Sequence, residues 1–202
     1  MDTLQIIEAF LDTLDTAEKK NRSAFHSYRD TFNRINGMSV GTQNPYRRAL
    51  ALQTAVIYQT LDPYADELLR TRVREKMESE LENTDIGLMG KQALKAVDQI
   101  EFKNCVLPKS RNHIDYQGLT QDLGNILPEE GGESIVQFFA DIINDYIAEI
   151  DEIIRERLRK IFTDIKEVVS VDPSEEEWAN VWMIINQHLG ELDKEIRYFG
   201  DL

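Results

Sequence analysis

The sequence predicts an all-α fold, a multi-helix bundle of about six helices with a long antiparallel helical hairpin at its C-terminal end. Apolar residues recur three and four positions apart along most of the chain, as at Leu4, Ile7, Leu11 and Leu14, which is the period of an amphipathic helix. No segment shows the strict apolar–polar alternation that predicts a strand. The 202 residues, of which 42% are hydrophobic, suffice for a folded domain with a buried core.

Residues 1–103 are predicted to form an N-terminal helical bundle. The first apolar stripe weakens near Glu18 and Asn21, where we expect the helix to break. The pairs Asn44-Pro45 and Asp62-Pro63 each combine an N-cap residue with proline at the first helical position, which indicates two helix starts. They predict separate helices over 45–61 and 63–83, and a further helix is expected over 85–103.

Residues 104–133 are predicted to be a loop-rich connector. The segment holds two prolines and four glycines, residues that are typical of turns and loops. Within it, the spacing of Tyr116, Leu119 and Leu123 predicts one short helix.

Residues 134–202 are predicted to form an acidic helical hairpin, either as a unit of its own or as part of one domain with the rest. Ser134 is expected to cap a helix that extends to about Val169, and Asp172 and Glu175 have the spacing of a capping box that starts the last helix. The apolar face of the long helix covers about 160°, so at least two neighbouring helices are needed to bury it.

The negative charge is concentrated in this hairpin. The chain carries 37 acidic and 23 basic residues; residues 1–132 have a net charge of −4 (20 acids, 16 bases) and residues 133–202 a net charge of −10 (17 acids, 7 bases). Five acids fall within an arc of about 80° on one face of the long helix with no base among them. We name them the acidic face: Asp141, Asp145, Glu149, Glu152 and Glu156.

The acidic face favours a non-catalytic interaction protein, such as an adaptor, a regulator or an assembly subunit, that docks a protein partner with a basic surface. In its sharpest form the surface is a nucleic-acid mimic; direct binding to a nucleic-acid backbone is not expected, because that requires clustered lysine and arginine. A solvated surface with no partner is the alternative interpretation. Self-association through the isoleucine-rich face of the long helix is a further expectation.

The composition favours a cytoplasmic protein without a membrane span. The single Cys105 excludes an internal disulfide framework, the longest apolar run (181–185) is far shorter than a bilayer requires, and the N-terminus lacks the basic start of a signal peptide. No P-loop, glycine-rich phosphate cradle or histidine metal motif occurs, so no cofactor is predicted.

Two short motifs support an enzyme as the alternative class. The segment from Arg22 to His26 resembles the R-x4–6-H motif of HEPN ribonucleases, which are also all-α, although three residues rather than four to six separate the pair here. The resemblance implies that Arg22 and His26 activate a ribose 2′-hydroxyl and stabilise the phosphate.

The second motif consists of Glu149-x-x-Glu152 and Asp164-x-x-Glu167, which resemble the paired E-x-x-E and E-x-x-D segments of all-α nucleotide pyrophosphohydrolases. That resemblance implies a Mg²⁺ site. The two pairs are 15 residues apart on one predicted helix, about 22 Å, so a shared metal would instead require Glu75 and Glu78 of another helix to meet Glu149 and Glu152.

Overall fold

The computed structural model describes residues 2–39, 41, 44–81, 88–107, 114–123 and 132–200, and this part of the chain contains eight α-helices and no β-strand. The prediction of an all-α multi-helix bundle is confirmed, with eight helices where about six were expected. The helices are α1 (Thr3–Lys19), α2 (Ala24–Ser39), α3 (Pro45–Leu81), α4 (Leu88–Val97), α5 (Phe102–Cys105), α6 (Tyr116–Leu123), α7 (Gly132–Val168) and α8 (Glu175–Gly200).

The break between α1 and α2 lies where the sequence predicts it. Asn21 adopts a left-handed backbone conformation with φ of 49°, which asparagine tolerates better than most residues. The N–H of Arg22 then donates to the carbonyl of Ala17 at 2.8 Å, which closes the end of α1.

The prediction of two helices around Asp62-Pro63 is wrong, because α3 continues through Pro63 for 37 residues. Proline removes the hydrogen bond to the carbonyl four residues earlier, here that of Gln59. Both Pro63 and Gln59 are exposed, so water can reach this carbonyl, while Leu61 and Tyr64 on the opposite side are buried and hold the helix in the core. Packing therefore overrides the local stop signal.

The segment between α3 and α7 differs in part from the prediction. The helix expected over 85–103 is two helices, α4 and α5, separated by a turn, whereas the short helix expected around Leu119 is confirmed as α6. Three predicted features lie outside the described residues: the helix end near residue 83, the helix start near residue 85 and most of the predicted loop between 108 and 131.

Helices α7 and α8 lie antiparallel. Arg157 Nη2 is 2.6 Å from Glu195 Oε1, and Asp164 Oδ2 is 2.8 Å from His188 Nε2, so the chain directions are opposite. α7 begins two residues before the expected cap, Ser134. The capping box that starts α8 is formed by Ser174 and Glu177 rather than by Asp172 and Glu175.

α7 is the central helix of the bundle, in contact with α1, α2, α3, α6 and α8. Its apolar side is buried by these neighbours, including Ile142, Ile143, Ile147, Ile150, Ile154, Ile161 and Ile165. Five neighbouring helices therefore contact α7, more than the two that its wide apolar face requires. No helix within the described ranges is both long enough and apolar enough to cross a membrane.

Gly118 allows α6 to pack against α5. A Cβ atom at this position would overlap the backbone carbonyl oxygen of Asn104, whereas a Cβ atom at Gly190, in α8, meets no atom within 4 Å. A backbone atom cannot move aside as a flexible side chain can, so only the first glycine is required by packing.

We expect Gly118→Ala and Gly190→Ala to change stability in opposite directions. Gly118→Ala should lower the free energy of unfolding by about 2 kcal/mol through overpacking. Gly190→Ala should raise it by up to about 1 kcal/mol, because alanine loses less backbone entropy in a helix. Chemical denaturation of both variants measures the two values; equal effects would show that α6 does not need the close approach.

Candidate partner-binding face

The acidic face lies on the outer side of α7. Asp141, Asp145, Glu149 and Glu156 are exposed, and Glu152 is half-buried. The apolar residues of the same helix face inward, so the helix separates a charged side from a buried side as its sequence pattern predicts.

Bases of α3 reach the acidic face, which the sequence did not indicate. Arg72 lies between two carboxylates, with Nη1 3.4 Å from Glu75 and Nη2 3.6 Å from Glu149. Lys76 pairs with Glu80 at 3.0 Å, and this hydrogen bond, with smaller contributions that include the charge of Asp145, raises the pKa of the lysine. The face is therefore partly neutralised by its own bundle.

A further base, Arg155, reaches the face from within α7 itself. Arg155 is only 2% exposed, and its guanidinium pairs with Glu152 one turn earlier and with Glu18 of α1 at 3.2 Å. Arg159 also binds Glu18, at 3.0 Å. The hydrogen bond from Arg159, followed by the charge of Arg155, lowers the pKa of Glu18. These pairs connect α1 to α7.

Three acids of the face form no ion pair with the described part of the chain. Among the described residues, no ion pair is formed by Asp141, Asp145 or Glu156; Asp141 accepts a hydrogen bond from Gln137 at 2.8 Å. Exposed carboxylates that form no ion pair can bind a basic surface without first breaking an internal pair.

The carboxylates proposed for a metal site are only partly brought together. Glu75 and Glu149 do approach each other from α3 and α7, but the Arg72 guanidinium lies between them. Glu152 binds Arg155 instead, and Glu78 lines a groove that Glu75 also lines, together with Arg70 and Arg74. Asp164 pairs with His188, and no group of three or more potential metal ligands occurs within the described ranges. An arginine occupies the place that a divalent cation would need.

Arg22 and His26, the two residues of the ribonuclease-like motif, lie in different environments, one at the surface and one in the core. Arg22 is exposed in the turn before α2, whereas His26 is buried at 1% exposure and its ring Nε2 is 3.1 Å from the Val106 carbonyl oxygen. A carbonyl only accepts, so Nε2 carries the proton. Burial, together with the charge of Arg29, lowers the pKa of His26 to about 4. The geometry does not favour a shared catalytic role for these two residues.

Sequence analysis missed Asp151, a polar residue inside the bundle. It is fully buried, and its carboxylate accepts hydrogen bonds from the Ser23 hydroxyl at 2.7 Å and from the backbone N–H groups of Ala24 at 2.8 Å and Phe25 at 3.3 Å. A residue of α7 thus caps the N-terminus of α2. The available signal was its position: Asp151 is in phase with Ile147, on the apolar side of the helix.

Asp66 of α3 likewise caps the N-terminus of α5. Its Oδ1 accepts from the N–H of Phe102 at 2.8 Å, while the helix's own N-cap residue, Glu101, supplies no side-chain cap. Burial, only partly offset by this bond, raises the pKa of Asp66 to about 6. Two helices are therefore capped by aspartates that are distant in sequence.

Comparison of the chain with protein-family models, with curated proteins and with solved structures finds no match. The argument for function therefore depends on the geometry described above.

We expect Asp151→Ala to lower the free energy of unfolding by about 3 kcal/mol. The change leaves three buried donors at the start of α2 without an acceptor. Asp151→Asn, which keeps one acceptor oxygen, should cost roughly half as much. Chemical denaturation measures both values, with Asp145→Ala as an exposed control on the same helix, expected within about 0.5 kcal/mol of wild type. An Asp151→Ala variant as stable as this control would contradict the capping role.

His26 should make the bundle sensitive to acid. Its pKa of about 4 in the folded protein lies below the ordinary value of 6.5, so the unfolded chain takes up the proton first as the pH falls. The stability that neutral His26 contributes is present above pH 6.5 and is lost as the pH falls towards about 4. Between pH 7 and pH 5, the loss should be about 2 kcal/mol.

His26→Gln isolates this effect, because an amide N–H can still donate to Val106 while no proton is taken up. The difference in unfolding free energy between wild type and variant should therefore change by about 2 kcal/mol between pH 7 and pH 5. Asp66 and Asp151 titrate in both proteins and cancel in the difference. A pH-independent difference would show that His26 does not titrate in this way.

Proposed function

We propose that this protein is a non-catalytic interaction protein that docks a basic protein partner on the acidic face of α7. The observation that carries the proposal is the exposure of Asp141, Asp145 and Glu156 without an ion pair among the described residues. They lie on a helix whose opposite side is fixed in the core, so their spacing is held rigidly.

The division of the face between paired and unpaired acids supports docking over simple solvation. Glu149 binds Arg72 and so strengthens the attachment of α3 to α7. Glu152 pairs within α7 with Arg155, whose guanidinium also binds Glu18 of α1. The unpaired acids contribute nothing comparable to the fold, yet they repel one another and their paired neighbours. A partner that supplies lysine or arginine side chains relieves this repulsion and is steered to the face by its field.

The test is reversal of the unpaired charges alone, with Asp141, Asp145 and Glu156 all changed to Lys. Binding of a lysine- and arginine-rich peptide, measured by fluorescence anisotropy at low and physiological salt, should weaken by roughly tenfold or more, because three attractive interactions become repulsive. Stability should change little, since these side chains form no ion pair. Glu149 and Glu152 stay unchanged, because their reversal would break pairs that hold the bundle.

The matched control reverses three exposed acids elsewhere, Asp12 of α1, Glu78 of α3 and Glu167 at the end of α7. Both triple variants change the net charge by the same amount. If the control loses binding equally, the peptide responds to total charge and the docking proposal fails. If a natural partner is captured equally well by wild type and by the α7 variant, the acidic face is not its site.

The nucleic-acid-mimic form of the proposal makes a separate prediction. Duplex DNA should compete with wild-type protein for the partner, because both occupy the same basic site. A ternary complex of partner, DNA and this protein would exclude mimicry while leaving docking intact.

A further inference from the structure

The contact between Arg72 of α3 and Glu149 of α7 is a loose ion pair on the acidic face. Arg72 Nη2 is 3.6 Å from Glu149 Oε1, whereas a charged N–H···O hydrogen bond is usually about 2.7–2.9 Å long. Glu149 forms no hydrogen bond and no other ion pair within the described ranges. Its charge is therefore screened by a cation that does not bind it closely.

Other arginines of the bundle bind their carboxylates at shorter distances. Arg157 is 2.6 Å from Glu195, and Arg197 is 2.8 Å from Asp193. The side chains of Arg72 and Glu149 are 41% and 49% exposed, so water competes with their pair. Another cation therefore displaces Arg72 from Glu149 at little cost.

Arg72 also has a second carboxylate on its own helix. Its Nη1 donates to Glu75 Oε2 at 3.4 Å, one turn along α3. When a different cation occupies Glu149, the guanidinium keeps this contact. Its charge is then not left without a counterion.

The packing of α3 against α7 is secured by apolar residues near the pair. Leu69 and Val73 of α3 are fully buried, as are Ile147 and Ile150 of α7. The ion pair adds to an attachment that burial already provides. Loosening it therefore leaves the bundle intact.

Lys76 extends the row of bases by one turn. It pairs with Glu80, and the charge of Asp145 is among the smaller contributions that raise the pKa of the lysine. Arg72 and Lys76 are four residues apart, as are Glu149 and Asp145, which is about 6 Å along each helix. α3 thus places a row of bases beside the acids of α7, as a basic partner would.

We propose that Arg72 is an internal competitor of the partner, an inference that rests on the docking function proposed above. In the free protein Arg72 screens Glu149. Docking transfers Glu149 to a basic side chain of the partner, while Arg72 stays on Glu75. The acidic face then binds through Glu149 as well as through its unpaired acids, and the competition with Arg72 sets the affinity.

Arg72→Gln tests the competition with the same lysine- and arginine-rich peptide. The peptide should bind roughly threefold to fivefold more tightly at low salt, because Glu149 is open without a competing pair. The gain should shrink at physiological salt, since exposed charges are screened. The midpoint of chemical denaturation should stay close to that of wild type, which shows that the fold is kept.

The matched control is Arg197→Gln. It removes the same charge and also opens an exposed carboxylate, Asp193, but on α8 and outside the acidic face. It should tighten binding by less than about twofold, because only the overall charge of the protein changes. Equal gains in the two variants would show that the peptide responds to total charge, and would overturn the competitor role.

Glu149→Gln identifies the carboxylate that Arg72 screens. In the Arg72→Gln background it should return the affinity to about the wild-type value. In the wild-type background it should change binding by less than about twofold, because Glu149 is already screened there. The same effect in both backgrounds would show that the two residues act independently, which is incompatible with the proposal.

Failure of this inference is distinguishable from failure of docking. If the Lys variant of Asp141, Asp145 and Glu156 loses the peptide while Arg72→Gln binds it as wild type does, docking holds and the competitor role is wrong. If neither wild type nor Arg72→Gln binds the peptide, both proposals are wrong.

Discussion

The buried carboxylate of Asp151 is the constraint on which the arrangement of the N-terminal helices depends. An ionised group in an apolar core is tolerated only when it is fully hydrogen-bonded, and here the first residues of α2 supply the donors. Arg155, one turn along α7, extends the network to Glu18 of α1. A shift of α2 along α7 would leave the carboxylate buried without its donors, so these bonds fix the relative position of the helices as well as stabilising them.

The same helix divides its charges between structure and surface. On the side towards α1 and α3, carboxylates are matched by Arg155 and Arg72, and the pairs join helices that are distant in sequence. Further outward, Asp141 and Asp145 remain exposed without an ion pair within the described ranges. Residues 133–202 therefore expose less unpaired negative charge than their net charge of −10 suggests. The unpaired charge is concentrated at a few positions.

The segment between α3 and α7 is held by polar contacts as well as by burial. Asp66 caps α5, His26 binds the carbonyl of Val106, and the N–H of Asp115 donates to the carbonyl of Cys105 at 2.8 Å. The close approach of α6 to the α5 backbone, which requires Gly118, completes this packing. The described part of this segment is thus built into the bundle by atoms from α2 and α3.

The sequence by itself determined the all-α class, the break at Asn21, the short helix α6 and the long α7 with its inward apolar side. These features follow from helical periodicity and from cap residues, which act within a few positions along the chain. Only the tertiary structure decided that α3 continues through Pro63, that Arg72 lies between Glu75 and Glu149, and that Asp151 caps α2. Each of these features depends on atoms that are distant in sequence and come together only when the helices pack. Burial then makes an unpaired charge costly, and the packing of α3 outweighs the local tendency of proline to end a helix.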